Sequence, residues 1–215
     1  MIKTVLLTGF EPFNKASINP AWEAVRALEG WSGAGFRVEV RQLPCVFIEA
    51  GRSLAGLVDE LHPDIVIAVG QAGGRAEISV ERVAINIDDA SILDNAGQQP
   101  VDRTIAEDGP AAYFSTLPIK AMVAAMRGKG LQAGVSQTAG TFVCNHVFYG
   151  LMHHTAGKPV KAGFIHVPFL PEQAEERPDD PPCMALDDII LGIMTAVDTA
   201  VNVERDEVHV GGATH

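Results

Sequence analysis

Two spacings of apolar positions alternate along the chain, and each change of spacing marks a new predicted element. Alternating or continuous apolar runs predict strands, because successive strand side chains face opposite ways and a strand covered on both faces is apolar throughout. Predicted strands lie at Thr4–Thr8, Phe36–Leu43, Asp64–Val69, Ile78–Ile87, Ala133–Gln137 and Ala162–Val167. Apolar residues three and four apart predict helices at Pro20–Leu28, Val46–Leu61, Ile119–Arg127, Cys144–His154 and about Ala185–Val201.

Strands that alternate with helices indicate an α/β domain, with helices on both faces of a mainly parallel sheet and some antiparallel edge strands. In such folds the sites cluster in loops beyond the carboxyl ends of strands. The loops to inspect are Gly9–Asn19, Gly70–Arg75, Thr138–Cys144 and the turn His166–Pro168. Two further stretches are predicted to be irregular, Asp88–Pro110 and the proline-rich Pro168–Pro182.

Composition narrows the class of protein. The 215 residues, 47% hydrophobic and 20% charged, fit one globular domain, which we expect to span residues 1–203 with a flexible tail at 204–215. The net charge of −11 gives no basic footprint for nucleic acid, and no apolar run approaches the ~20 residues that cross a membrane. Three cysteines without a Cys-x-x-Cys pair suggest neither a disulfide framework nor a thiolate zinc site, so a cytoplasmic location is expected.

Cys144 is the first candidate for chemistry. It follows Gly140 and begins a predicted helix, where the macrodipole and free N–H groups would lower the thiol pKa and could hold an oxyanion. The alternative is a buried cysteine that acts as a small apolar side chain. Cys45 and Cys183 lack this context and are interpreted as structural.

His166 ends a predicted strand at the rim where sites form, and its near-neutral titration suits a general base. The alternative is a core histidine that bonds to the backbone. His153 and His154 lie ~13–15 Å along the helix axis from Cys144, too far to reach the thiol. His146 is only two residues away, but residues so spaced on a helix point apart.

Glu81 interrupts an otherwise apolar strand, where an unpaired carboxylate is costly. Its partner could be the adjacent Arg82 or an imidazole on a neighbouring strand, which it would orient. The alternative is a surface glutamate on an edge strand. The Gly70–Arg75 loop resembles a phosphate loop only weakly, and the Cys144, His146, His153 and His154 set matches no common zinc spacing.

Four stretches together resemble the pyroglutamyl peptidase I family of cysteine peptidases, also called pyrrolidone-carboxylate peptidases. Their order and spacing agree with that family from about Ile2 to Ala200. The stretches are Leu7–Phe13 (LTGFEPF), Gly70–Asn86 (GQAGGR through VERVAIN), Thr138–Asn145 (TAGTFVCN) and Gly163–Pro168 (GFIHVP).

The resemblance implies a Glu–Cys–His triad at Glu81, Cys144 and His166 within a single α/β/α sandwich around a twisted, mainly parallel mixed sheet. It implies hydrolysis of the amide bond after an N-terminal pyroglutamyl residue, without a metal or organic cofactor, and frequently a homotetramer. It also implies substrate-binding residues that flank the lactam ring or line its pocket: Phe10, Phe13, Gln71 and Phe142.

The chain departs from the family pattern at two places. Asn14-Lys15 stands where Gly-Gly is common, which could stiffen or move the pocket loop. Ser91 stands where members commonly carry an Arg that is thought to help the oxyanion. Two alternatives therefore stay open: a lactam-binding relative with little catalysis, and a nucleoside-type α/β enzyme that uses the Gly70–Arg75 loop.

Overall fold

The computed structural model describes residues 2–208 and 210–212. The strands, in chain order, are β1 (Lys3–Phe10), β2 (Ser32–Gly33), β3 (Phe36–Leu43), β4 (Ile65–Gln71), β5 (Ile78–Glu81), β6 (Val83–Ile85), β7 (Ala112–Phe114), β8 (Ala133–Ser136) and β9 (Lys161–Val167). The helices are α1 (Pro20–Arg26), α2 (Glu49–Leu61), α3 (Ile119–Gly128), α4 (Val143–Thr155), α5 (Pro171–Glu175) and α6 (Leu186–Asn202).

Seven strands form one mixed sheet in the order β2-β3-β1-β4-β9-β5-β8. The central strands β3, β1, β4 and β9 are parallel, whereas β5 runs antiparallel to β9 and β8 runs parallel to β5. The fold class predicted from the sequence, a mainly parallel mixed sheet between helices, is therefore confirmed.

Two apolar cores lie on the two faces of this sheet. Helices α1, α3 and α6 cover one face through residues such as Val25, Met122 and Ile193. Helices α2 and α4 cover the other through residues such as Leu54 and Phe148. Among the described residues, no helix has the length and apolarity required to cross a membrane.

The predicted strand Ile78–Ile87 is wrong as one element, because the chain leaves the large sheet after Glu81. Beyond that point β6 pairs with β7 in a separate two-stranded sheet. The side chain of Asn145 causes the departure locally: its Oδ1 accepts from Ile85 N at 3.0 Å and its Nδ2 donates to Ile85 O at 2.9 Å.

The bounds of three other elements also differ from the predicted ones. Gly70 and Gln71 belong to β4 and not to a loop. Helix α2 begins at Glu49, later than predicted, because Ile48 has a left-handed φ of 65° that is unusual for a β-branched residue. Helix α5 lies inside the stretch predicted to be irregular, where Pro171 has a φ suited to a first helical position.

The described part of the predicted tail contacts the domain. The Asp206 carboxylate accepts hydrogen bonds from the backbone N–H groups of Lys120 and Ala121 at the start of α3. Gly211 O accepts from the Arg82 guanidinium at 3.1 Å. Both the boundary at residue 203 and the flexibility of the tail stay predictions.

Candidate active site

Cys144 is the second residue of α4 and therefore lies at the amino end of that helix. The residue that precedes the helix is Phe142, whose apolar side chain offers no acceptor to the first-turn N–H groups. Gly140, with a φ of 76°, makes the turn that leads into the helix. The nucleophile candidate thus sits beside N–H groups that the helix cap leaves available to a ligand.

The thiol of Cys144 occupies the space above Gly70 on β4. A Cβ atom placed on Gly70 would lie 2.9 Å from Sγ of Cys144 and 2.8 Å from the Phe164 ring. Gly70 is the register partner of His166 on β9, and partners in register face the same side of a sheet. The absent side chain at position 70 therefore lets the thiol approach the face of the sheet that carries His166.

His166 and Glu81 meet across the antiparallel pair β9–β5. Ser79 is the register partner of His166, so Glu81, two residues further, lies diagonally on the same face. His166 Nδ1 donates to Glu81 Oε1 at 2.7 Å, and both side chains are buried. In the part of the chain that the structure describes, His166 Nε2 has no hydrogen-bond partner, which leaves its lone pair free to accept a proton.

Arg75 also contacts the carboxylate and was not singled out from the sequence. Its Nη1 donates to Glu81 Oε1 at 2.7 Å, and its Nη2 donates to Thr138 O at 2.9 Å. Arg82, the cationic partner considered from the sequence, contacts Gly211 O instead. Of the two partners considered for Glu81, the imidazole is the one that the structure gives.

The expected fall of the Cys144 pKa is wrong. Burial of the thiol, with a smaller contribution from the Glu81 carboxylate, raises the pKa of Cys144 to about 12, although the Arg75 guanidinium opposes the rise. Loss of hydration and a nearby anion both disfavour the thiolate here. In the free protein the thiol therefore keeps its proton at neutral pH.

Aromatic rings flank this site on two sides. Phe10 packs against Phe164 with ring centroids 6.2 Å apart, and Phe164 packs against His166 at 4.8 Å. Phe142, next to the nucleophile's helix, packs against Phe13 at 6.1 Å and against Phe47 at 5.3 Å. The three phenylalanines predicted from the sequence thus lie in one aromatic neighbourhood, and the structure adds Phe47 and Phe164.

Gln71 ends β4, one residue after Gly70. Its Oε1 accepts from Gln173 Nε2 at 3.1 Å, and Gln173 Oε1 in turn accepts from Leu170 N at 3.1 Å. This chain of bonds fixes the orientation of the Gln71 amide, whose Nε2 has no hydrogen-bond partner among the described residues. The strand conformation of Gly70 and Gln71 gives no support to the phosphate-loop alternative.

The three other histidines considered from the sequence are engaged elsewhere. His146 bonds to the Asp88 carboxylate, His153 contacts Tyr113 and His154 contacts Asp59. Ser91 is exposed. Across the described ranges no group of three or more His, Cys, Asp or Glu side chains is arranged to hold a metal ion.

Comparison with known proteins identifies the family. The family model described as pyroglutamyl peptidase matches residues 3–203. The chain belongs to the pyroglutamyl peptidase family.

Similar members of this family come from several bacteria and archaea. A pyrrolidone-carboxylate peptidase of Cupriavidus taiwanensis is 60% identical over 99% of both chains, and one of Bacillus cytotoxicus is 55% identical over the full length of both. The structure of pyroglutamyl peptidase I from Bacillus amyloliquefaciens has a TM-score of 0.95 at 45% identity and covers 98% of this chain and 100% of its own. That of pyrrolidone carboxyl peptidase from Thermococcus litoralis has a TM-score of 0.93 at 38% identity and covers 97% and 99%.

Sequence reasoning missed several members of the site. Arg75 was read only as part of a glycine-rich stretch, and Gln173 lies in a helix that was not predicted. Phe47 and Phe164 look like ordinary core residues in the sequence. The signal for Arg75 was available, since a buried carboxylate requires a cation and Arg75 is close to it in the chain.

Proposed function

We propose that this chain hydrolyses the amide bond after an N-terminal L-pyroglutamyl residue, with Cys144 as nucleophile, His166 as base and Glu81 orienting the imidazole. The observation that carries the proposal is the buried 2.7 Å bond between His166 Nδ1 and Glu81 Oε1, on the face of the sheet that the Cys144 thiol approaches through Gly70. Family membership over residues 3–203 supports the same reaction.

The first half-reaction transfers the acyl group to the thiol. His166 Nε2 takes the Cys144 proton as sulfur attacks the carbonyl that joins the lactam to the next residue. The tetrahedral oxyanion collapses, the C–N bond breaks, and the imidazolium gives its proton to the departing amine. Glu81 keeps the Nδ1 proton in place and stabilises the imidazolium during this step.

The second half-reaction releases the acid. Water attacks the thioester while His166 accepts its proton, and the thiolate regains a proton as pyroglutamate leaves. Because the Cys144 pKa lies at about 12, proton transfer and attack are coupled, in contrast to enzymes that store a thiolate.

The oxyanion is held in this proposal by backbone donors at the start of α4. Phe142 does not cap those N–H groups, so they are available at the place where charge develops. Ser91 cannot supply the positive charge that relatives commonly have at this position.

The pocket recognises a flat, neutral lactam. Pyroglutamate has no free amine, so its binding requires apolar faces and a few amide-matching hydrogen bonds. Phe10, Phe13 and Phe142 supply the faces, and the free N–H groups of Gln71 donate to the ring's polar edge. We further propose a cytoplasmic homotetramer that acts on peptides without a bound metal or cofactor.

The test is hydrolysis of a fluorogenic L-pyroglutamyl amide under reducing conditions by the wild type and by Cys144→Ala. We expect turnover by the wild type and none above background by the variant. A D-pyroglutamyl amide and an L-prolyl amide serve as controls for recognition of the lactam. If the folded wild type binds a pyroglutamyl analogue but does not turn over, the activity proposal is wrong and the lactam-binding alternative replaces it.

A further inference from the structure

Arg75 is a charged residue of the site to which the reaction steps above give no role. It lies in the loop between β4 and β5, and its side chain is 30% exposed whereas that of Glu81 is fully buried. Its guanidinium makes three contacts: Nη1 to Glu81 Oε1 at 2.7 Å, Nη1 to Ser136 Oγ at 3.3 Å and Nη2 to Thr138 O at 2.9 Å.

The contact between Arg75 and Glu81 compensates the negative charge of a buried carboxylate. Glu81 Oε2 has no partner in the described part of the chain, so Oε1 carries both the bond from His166 and the bond from Arg75. The imidazole must be neutral to act as a base, so it cannot also supply the positive charge that a buried carboxylate requires. The groups that face Glu81 are His166, Arg75 and Cys144, and Arg75 is the permanent cation among them.

The other contacts reach the nucleophile's loop. Thr138 O, which Arg75 bonds, also accepts from Ser136 Oγ at 3.0 Å, and Thr138 Oγ1 accepts from Gly140 N at 3.0 Å. Two residues beyond Gly140 stands Phe142, the residue that precedes α4. One guanidinium therefore connects the carboxylate behind the base to the segment that positions Cys144.

We propose that Arg75 is a positioning residue of this active site: it balances the charge of Glu81 and keeps that carboxylate aimed at His166, and it fixes the nucleophile's loop relative to that pair. The planar fork of Arg is suited to two acceptors at once, whereas Lys would provide a single point charge. The opposing effects of Glu81 and Arg75 on the Cys144 pKa agree with a role in the charge balance of the site. The inference rests on the proposed function.

The experiment compares Arg75→Met and Arg75→Lys with a matched control, Arg103→Met. Arg103 also bonds a buried carboxylate, Asp88, at 2.8 Å, and that carboxylate also receives a histidine, but among the described residues the Arg103 guanidinium makes no hydrogen bond to the nucleophile's loop. The measurements are kcat, KM and the pH profile of kcat/KM with the fluorogenic amide, the rate of Cys144 alkylation by iodoacetamide, and Tm.

We expect Arg75→Met to lower kcat by about 10–100-fold with little change in KM, since it disturbs the base and not the pocket. Loss of the cation removes the charge that balances the Glu81 carboxylate, so the acid limb of the profile should move to higher pH. Arg75→Lys should return the limb to the wild-type position and recover only part of kcat. Arg103→Met should lower Tm and leave the limb in place.

Two results would overturn the inference. One is that Arg75→Met has the same pH profile and the same kcat as Arg103→Met. In that case the ion pair between Arg75 and Glu81 would have a structural role only. The other, decisive if Arg75→Met does not fold, is an Arg75→Lys variant with wild-type kcat and a wild-type rate of Cys144 alkylation, because the proposal expects Lys to recover only part of kcat. Loss of turnover in the wild type would instead contradict the proposed function, so the two failures are distinguishable.

Discussion

The molecule contains two similar sets of buried polar side chains that differ in what is left free. In the first, Glu81 is buried between His166 at 2.7 Å and Arg75 at 2.7 Å. In the second, Asp88 is buried between His146 at 3.0 Å and Arg103 at 2.8 Å. The first lies at the proposed catalytic centre, and the second lies at the start of α2.

The second imidazole is fully used. His146 Nδ1 bonds to Asp88, and His146 Nε2 accepts from Ile48 N at 3.1 Å. That bond helps to hold Ile48 in its positive-φ conformation, which costs of the order of 1–3 kcal/mol for such a residue. By contrast, His166 Nε2 has no hydrogen-bond partner among the described residues.

A carboxylate, an imidazole and a guanidinium therefore do not by themselves make a catalytic site. In the second set both imidazole nitrogens are bonded, whereas in the first set Nε2 has no partner among the described residues. Gly70, the register partner of His166, also leaves room for the Cys144 thiol beside the first set. We propose that these two differences allow the first set to prepare a base.

Replacement of each histidine by Ala is the strongest test of this difference. His166→Ala should lower kcat by about 10³-fold or more without comparable loss of stability, because the general base is gone. His146→Ala should destabilise the fold by about 1–3 kcal/mol, since Ile48 N and Asp88 each lose a partner, and should change kcat less than about tenfold. Kinetics and thermal unfolding of both variants check this, and equal losses of kcat would end the distinction.

Gly70→Ala should have the next largest effect. The new methyl group would meet the Cys144 thiol and the Phe164 ring, and displacement of the nucleophile by a fraction of an ångström can cost about 10²-fold in kcat. The control is Gly56→Ala in α2, where a Cβ atom meets no neighbour within 4 Å and helix propensity rises. Wild-type kcat in Gly70→Ala would show that the thiol does not lie where the first set requires it.

The pH dependence of Cys144 alkylation is a further test, with a smaller expected effect. With the Cys144 pKa at about 12, alkylation of this thiol should accelerate about tenfold per pH unit from pH 7 to 9 without a plateau. The rate rises with pH because the thiolate is the reactive form, and its fraction grows as the pH approaches the pKa. Mass spectrometry of iodoacetamide adducts in a Cys183→Ser background would measure the rate, and a plateau below pH 8 would indicate a stored thiolate instead.

Ser91→Arg should have the smallest effect. A guanidinium close to the developing oxyanion could raise kcat severalfold, whereas KM should change little. Ser91→Lys is the control for charge without the fork geometry. Unchanged catalytic constants in Ser91→Arg would remove the idea that this position limits the rate.

The sequence predicted the parts of this account that depend on local pattern. Strand β3 has the predicted bounds, and the main helices are within a few residues of theirs, because apolar spacing reflects the two cores directly. The sequence did not predict the element boundaries at which a side chain distant in the sequence bonds to the backbone. Asn145 draws Ile85 away from the large sheet, and His146 binds the turn at Ile48.

The sequence likewise predicted only part of the candidate site. Resemblance to the family suggested Glu81, Cys144 and His166, whose roles stay predictions. Patterns along the chain could not show that the antiparallel strand β5 brings Glu81 beside His166, or that Arg75 folds back onto the same oxygen. The direction of the Cys144 pKa shift also depends on burial and on Glu81, which are properties of the assembled fold.

The central claim, that the first set activates Cys144 as a nucleophile, is tested most directly by trapping its covalent intermediate. The wild type would be mixed with an activated L-pyroglutamyl ester, quenched in acid within the first turnovers, digested and analysed by mass spectrometry. We predict one pyroglutamyl group on the peptide that carries Cys144, and its absence in His166→Ala under the same conditions. An active enzyme that shows the adduct on Cys45 or Cys183, or on no cysteine, would contradict the account.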